Sequence, residues 1–320
     1  MSKPKSNSAD APIYITMGEP SGIGPEVAVA AYNALGGKIG ARKLKLVGDP
    51  DVFRACGTVP DDALIATKAK AKRVPGTLNV VSAPAVIEAI ELSVKAAMAG
   101  EAGAVVTAPI HKWVLTESGF AFPGHTEFLE NLTGAKRAVM MMASDLLKVV
   151  PLTIHIPLRE VPSRLSKERI VETGEIILDA LKKDFGIPHP RLAVAGLNPH
   201  AGEAGTIGLE EDTIICPAVE ALSAEGHTIL GPLSADAMFH EEARARYDAA
   251  LCMYHDQALI PSKTLAFWDG VNVTLGLPIV RTSPDHGTAL DIAGTGKADV
   301  RSMIAAIKRA AQMADARAAR

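Results

Sequence analysis

The chain has 320 residues, enough for one large or two ordinary domains with well-buried cores. Hydrophobic residues make up 48% and charged residues 22%, an ordinary globular balance; no stretch reaches the roughly 18 apolar residues that a transmembrane helix requires. A net charge of -3 supplies no global field for nucleic acid or a membrane surface, so any anion recognition has to be local. The cysteines Cys56, Cys216 and Cys252 are odd in number and show no paired spacing, which fits thiols in a reducing cytoplasm better than a disulfide framework. Residues 1–11 lack the apolar core of a signal peptide and read as a frayed tail, and a cytoplasmic location is expected.

The segment from Pro12 to Met17 reads as a first strand that breaks at Gly18-Glu19-Pro20-Ser21-Gly22-Ile23-Gly24-Pro25. A helix begins near Pro25-Glu26, where a proline and an acid both suit a first turn. The glycines permit close backbone approach to a ligand, and the helix start can face an anion. A plain structural turn accounts for the same residues, because Gly22-x-Gly24 lacks the third glycine of the dinucleotide fingerprint and no Walker sequence is present. Lys43–Asp49 alternates as a strand, residues 84–99 carry helical spacing, and Ala104–Pro109 is a buried strand running into Ile110-His111-Lys112. A turn at Pro123-Gly124 opens a helix with Thr126 placed to cap it. Strands are expected over 138–142 and 148–155, and an amphipathic helix over 166–184 whose Ser166 has no acidic capping partner. Strand 191–196, helix 209–224, strand 227–231 and strand 249–253 follow. Two short strands over 271–281, broken at Gly276-Leu277-Pro278, precede a C-terminal helix from about Asp299. This alternation predicts an α/β fold with largely parallel connections.

Three of the nine histidines share a setting: His155, His200 and His255 each follow a buried strand at a turn. Any one alone is ordinary for a core or surface histidine. Together, and far apart in sequence, they suit a site with three protein ligands and open coordination positions rather than a local zinc knuckle. Imidazole favours zinc and its first-row neighbours over calcium. Lys263, Asn272 and Arg281 add two cations and an amide that suit a phosphate or carboxylate, arginine gripping it with two parallel bonds. His125 and Thr126 fit either ligand contact or helix capping. Asp236 and Asp256 are candidates for orienting a metal-bound histidine or moving a proton, with helix cap and turn former as the alternative roles.

The chain resembles the 4-hydroxythreonine-4-phosphate dehydrogenase family. The resemblance rests on MGEPSGIGPE at 17–26, TAPIHK at 107–112, FPGHTEFL at 122–129, LTIHIPLREVP at 152–162 and GLNPHAGE at 196–203. It continues through GPLSAD at 231–236, YHDQALIPSK at 254–263, GVNVTLGLP at 270–278 and RTSPDHGTALDIAGTGKAD at 281–299. It implies an isocitrate/isopropylmalate dehydrogenase-like α/β fold, two α/β/α domains with a cleft between them. The expected division is 12–133 plus 232–320 for a cofactor-associated domain and 134–231 for a second.

The same resemblance implies a homodimer with its active site at the subunit interface, acting on a phosphorylated small molecule. One divalent cation (Zn, Mg or Co) would be held by His155, His200 and His255, and substrate by His125, Thr126, Lys263, Asn272 and Arg281. The loop with His286, Gly287, Asp291 and Gly294 is similar to one that holds the adenosine end of NAD(P) in the wider fold. A carboxylate at Asp291 facing the ribose favours NAD over NADP. The expected reaction oxidises 4-phosphooxy-L-threonine to a 3-oxo acid that loses carbon dioxide, giving 3-amino-2-oxopropyl phosphate on the route to pyridoxal 5′-phosphate. Two other readings stand beside it: a dehydrogenase of 4-phospho-D-threonate or a related sugar acid, and a non-catalytic metabolite-binding protein on the same fold.

Overall fold

The computed structural model describes residues 8–320. Its strands are β1 (Ile13–Thr16), β2 (Lys38–Ile39), β3 (Arg42–Gly48), β4 (Leu64–Ala66), β5 (Ala104–Val106) and β6 (Val139–Ala143). They continue with β7 (Lys148–Thr153), β8 (Arg191–Ala195), β9 (Thr228–Leu233), β10 (Ala249–Tyr254), β11 (Val271–Leu275) and β12 (Arg281–Pro284). The chain forms two compact units, which divide after Ala138 and after Gly276. Residues 232–276, expected with the first domain, therefore lie in the second. The pairings explain why: β10 lies between β7 and β8, and β11 pairs with β6.

In the first unit the order is β3, β1, β5, β12, all parallel, with β4 parallel on β3 and the short β2 hairpinned antiparallel to it. The strands read as continuous apolar runs because helices cover both faces of a parallel sheet. β1 lies between β3 and β5, so the chain runs from β1 to one side of it and later crosses back to add β5 on the other. Open parallel sheets bind ligands outside the carboxyl ends of strands at such a reversal. Gly18–Gly24 follows β1 at this point.

In the second unit the order is β11, β6, β7, β10, β8, β9. β7, β10, β8 and β9 run parallel, while β6 is antiparallel to both its neighbours. The helix Lys167–Lys183 covers this sheet, and its formation is local. Ser166 accepts a hydrogen bond from the Arg169 amide at 3.2 Å, Glu168 stands in the first turn and Lys182 and Lys183 in the last. Ile170, Thr173, Ile177 and Leu181 repeat at helical spacing on the buried face.

Several sequence expectations need correction. The expected helix over 209–224 opens with a wider π-turn at Glu211–Ile215 before the α-helix Cys216–Ala224. The polar run after β10 is a helix, His255–Leu265, carrying Pro261 inside it. Residues 1–7 of the expected frayed tail lie outside the described residues; Ser8 and Ala11 are instead held by Arg42. Its buried guanidinium donates to the Ala11 and Ser8 carbonyls and to Asp315. Thr126 does not cap its helix: His125–Thr133 starts after Gly124 with no side-chain cap. No helix of the described residues is long and apolar enough to cross a membrane.

Ile170 is fully enclosed, so its truncation leaves a void that the sheet cannot fill. Ile170→Ala is expected to cost about 3 kcal/mol of stability, read from the urea midpoint at unchanged slope.

Candidate active site

In the first unit the carboxyl ends of β1, β5 and β12 form one set of loops. The turn after β1 is pinned from two sides. The Glu19 amide donates to the Pro109 carbonyl at 2.8 Å, and the Ile23 amide to the Thr288 carbonyl at 2.9 Å. A Cβ on Gly18 would stand 2.6 Å from the Pro109 oxygen, and one on Gly22 2.6 Å from the Thr288 oxygen. Both glycines are thus required by close backbone approach, Gly18 also by its φ of 68°. Arg73 donates to the carbonyls of Pro20 and Gly22 and pairs with Glu26 at 2.5 Å. Glu26 accepts, on the same oxygen, the amide of Gly294 at 2.7 Å. The Gly287–Gly294 loop is therefore fastened to the turn at both of its ends.

Of the residues expected to hold cofactor, Gly287, Asp291 and Gly294 are exposed in this loop, and half-buried His286 immediately precedes it. His286 donates from Nδ1 to the Gly287 carbonyl at 3.0 Å, leaving Nε2 as an enclosed acceptor without a partner. Ser21 Oγ, His111 Nδ1 and His125 Nε2 are likewise enclosed and unpartnered. Buried polar atoms are normally hydrogen-bonded, so a group of them at one set of strand ends is what a polar ligand leaves behind.

Arg281 is 4% exposed and donates through Nε (3.1 Å) and Nη2 (2.6 Å) to the Thr107 hydroxyl. Burial lowers its pKa to about 10, so the guanidinium stays cationic at neutral pH. Burial, and secondarily the Arg281 charge, hold His125 well below the ordinary histidine range, so its imidazole is neutral. Glu19, 1% exposed, is pushed up by burial against the hydrogen bond from the Ser21 amide.

The second unit gathers the three histidines at the carboxyl ends of adjacent parallel strands: His155 after β7, His255 after β10 and His200 after β8. Thr153 Oγ donates to the Met253 carbonyl at 2.8 Å, locking the ends of β7 and β10. The His155 and His255 rings lie 5.8 Å apart between centroids, beside a cavity of about 240 Å³ that both line with Thr153, Tyr254 and Asp256. Asp256 accepts from His255 Nδ1 at 2.7 Å, which orients the ring and leaves Nε2 for a ligand. His200 is carried on a separate loop, and the hydrogen bond from the Ser234 hydroxyl is the main cause holding Asp236 below the usual carboxylate range. Among the described residues, no three metal-binding side chains of one chain close on a common point. Lys263 lies half-buried with Nζ 5.9 Å above the Phe267 ring, and Asn272 is on β11 opposite Met142.

Two of these histidines adopt left-handed backbone, His155 at φ 50° and His200 at φ 53°. From His200 the conformation continues through Ala201, Gly202, Glu203, Ala204 and Gly205. Such conformations cost a non-glycine residue about 1 kcal/mol or more each and collect at functional sites. The buried Glu211 carboxylate anchors the start of this run, accepting the Leu197 and Asn198 amides at 2.7 Å and Asn198 Nδ2 at 2.9 Å. Charge-assisted bonds of about 1.5 kcal/mol each are of the size needed to hold it.

Sequence reasoning missed Glu211, Arg73 and Ser21. Glu26 was read only as a helix-start acid, although its place two residues after Gly24 of the glycine turn was a usable signal.

Two outcomes follow for the first unit. Gly22→Ala forces Thr288 away, so the Ile23 amide is expected to exchange with solvent at least tenfold faster in a hydrogen-exchange measurement. For His125, the unfolded chain takes up a proton before the folded one does. Stability is therefore expected to fall as pH drops below the ordinary histidine range, and to fall less steeply in His125→Gln, as thermal melts across the acid range would show.

The comparisons with known proteins agree with one another. The family described as pyridoxal phosphate biosynthetic protein PdxA matches residues 29–310. A 4-hydroxythreonine-4-phosphate dehydrogenase from Methylorubrum populi is 49% identical, covering 96% of this chain and 95% of its own. The crystal structure of a 4-hydroxythreonine-4-phosphate dehydrogenase from Klebsiella pneumoniae superposes with a TM-score of 0.85 at 36% identity, covering 97% of this chain and 100% of that one. A β-decarboxylating dehydrogenase from Thermococcus kodakarensis shares the fold alone, with a TM-score of 0.51 at 17% identity over 92% of this chain and 81% of its own. A match spanning most of the sequence, with near-half identity to a full-length relative, places the chain in the PdxA family of pyridoxal phosphate biosynthetic proteins.

Proposed function

We propose that the chain is a metal-assisted, nicotinamide-dependent 4-hydroxythreonine-4-phosphate dehydrogenase. It would oxidise the secondary alcohol of 4-phosphooxy-L-threonine to a 3-oxo acid that loses carbon dioxide, giving 3-amino-2-oxopropyl phosphate in pyridoxal 5′-phosphate biosynthesis. The observation that carries the reading is the set of three histidines on adjacent strand ends, two with rings 5.8 Å apart, the third on a neighbouring loop. Three imidazoles suit zinc or cobalt, and magnesium less well. When bound, the cation would stabilise negative charge on the substrate oxygen and the nicotinamide would accept the hydride.

The chain's own residues have separable tasks. Asp256 fixes the His255 ring with Nε2 outward. Arg281, a cation inside a dry setting, and neutral His125 are assigned with Thr126 to substrate on the first unit, and Lys263 and Asn272 on the second. Buried at 4% exposure, Arg281 meets little competing water, which strengthens its hold on an anionic group. Asp236, kept ionised beside His200, is assigned to proton transfer or histidine orientation. His286 Nε2 and Ser21 Oγ are enclosed atoms that a dinucleotide can satisfy. Asp291 is exposed on that loop, where a carboxylate accepts ribose hydroxyls and repels a 2′-phosphate, so NAD is favoured.

We also read the assembly as a homodimer with the active site at the subunit interface. Support comes from the second unit, which exposes Leu158 (66%), Ile260 (65%) and Phe267 (63%), apolar side chains of the kind a partner covers.

The test is NADH formation with 4-phosphooxy-L-threonine and identification of the product by mass. Activity is expected to vanish on exhaustive chelation and to return with zinc or cobalt; full activity after chelation would defeat the metal assignment. Asp256→Ala is expected to lower metal affinity or turnover about 10- to 100-fold. Turnover is expected to be higher with NAD than with NADP. Better turnover of 4-phospho-D-threonate would move the assignment to that substrate, and absence of NADH with either would leave a binding protein.

A further inference from the structure

We infer that Glu211 is a positioning residue for His200. Through the backbone of Leu197 and Asn198 it holds the left-handed loop that sets the imidazole, and so governs cation affinity without touching the cation. This rests on the metal reading given above. Glu211 is 2% exposed, and both its oxygens point at one short segment. Oε1 takes the amides of Leu197 and Asn198, and Oε2 takes the side-chain amide of Asn198, which also reaches Glu210 at 2.8 Å.

The loop is shaped around this carboxylate. A Cβ at Gly202 would stand 2.6 Å from Glu211 Oε2, and one at Gly196 3.1 Å from Oε1, so both glycines bracketing His200 leave room for it. Gln257 closes the arrangement from the other strand. Its Oε1 accepts the Met253 amide at 2.6 Å and its Nε2 donates to the Gly196 carbonyl at 2.7 Å, linking the end of β10 before His255 to the end of β8 before His200. Three donors aimed at the two oxygens of one enclosed group suit a carboxylate: a carboxamide keeps the volume and one acceptor oxygen but turns an N–H toward Asn198 Nδ2, itself a donor bonded to Glu210. Left-handed backbone from His200 to Gly205 has no reason to persist once this anchor is lost, because four of its residues carry side chains that disfavour it.

The test is cobalt(II) titration of the full-length chain, followed by the visible ligand-field absorption, in wild type, His200→Ala, Glu211→Gln and Asn198→Ala. The far-ultraviolet circular dichroism of the metal-free proteins is compared alongside. The expected result is a 10- to 100-fold loss of cobalt affinity in Glu211→Gln and a smaller loss in Asn198→Ala, both with altered band shape and unchanged secondary structure. Wild-type affinity and band shape in folded Glu211→Gln would overturn the inference while leaving the metal reading intact. If Glu211→Gln does not fold, Glu211→Asp decides, since it keeps the charge but withdraws the carboxylate by one methylene from the Leu197 and Asn198 amides; wild-type cobalt affinity and band shape there overturn the inference. Failure of the wild type to bind cobalt would remove the metal reading itself, and the inference with it.

Discussion

The pairing of β10 between β7 and β8 is the constraint on which the rest of the second unit depends. Ala250 stands opposite Val149 and Ala193, and Leu251 opposite Val150 and Val194, all in parallel register. Parallel strands end on the same side of their sheet, so three histidines separated by dozens of residues in sequence reach one edge of it. The apolar faces of Val149, Ala193, Ala250 and Cys252 lie in one buried cluster with Met142, Leu147 and Tyr247. Hydrophobic burial thus fixes the strand ends, and strand ends fix where imidazoles can stand. A sheet slipped by one residue would turn every side chain to the opposite face and scatter the trio.

Beyond the strand ends, geometry is set by hydrogen bonds rather than by packing. The loops bearing His155 and His200 depart from favoured backbone regions, and polar groups buried beneath them hold them there: Thr153 on the Met253 carbonyl, Glu211 on two amides, Gln257 across two strands. The first unit uses the same device differently. There, glycines that allow contact within van der Waals distance bring two loops together, and Arg73 and Glu26 fasten them. Both arrangements place rigid, partly strained backbone where a ligand is expected, and both have their supports below the surface.

What could be read from the sequence follows from this division of labour. Apolar runs such as Ala104–Val106 and Ala249–Met253 announce themselves as buried strands, and Ser166 with the Ile170, Ile177, Leu181 spacing announces a helix. The histidines stood out because each interrupted such a run. Glu211 and Arg73 did not, since they act on backbone atoms of segments remote in sequence and leave no period. The helix from His255 was hidden by its polar opening and by Pro261. Its proline lacks the amide that would otherwise bond the Gln257 carbonyl. The division after Gly276 was equally hidden, because β11 is assigned to its unit by an antiparallel partner, β6, over a hundred residues earlier.

Glu26 uses a single oxygen for both the Arg73 guanidinium and the Gly294 amide. The stretch carrying Arg73, which has no regular structure of its own, is therefore mechanically joined to the Gly287–Gly294 loop through one carboxylate. A change that moves the Glu26 carboxylate acts on both segments at once, and any coupling through it has the same free energy read in either direction. A residue that looks like scaffolding thus serves as a thermodynamic link between two pieces of chain more than two hundred positions apart.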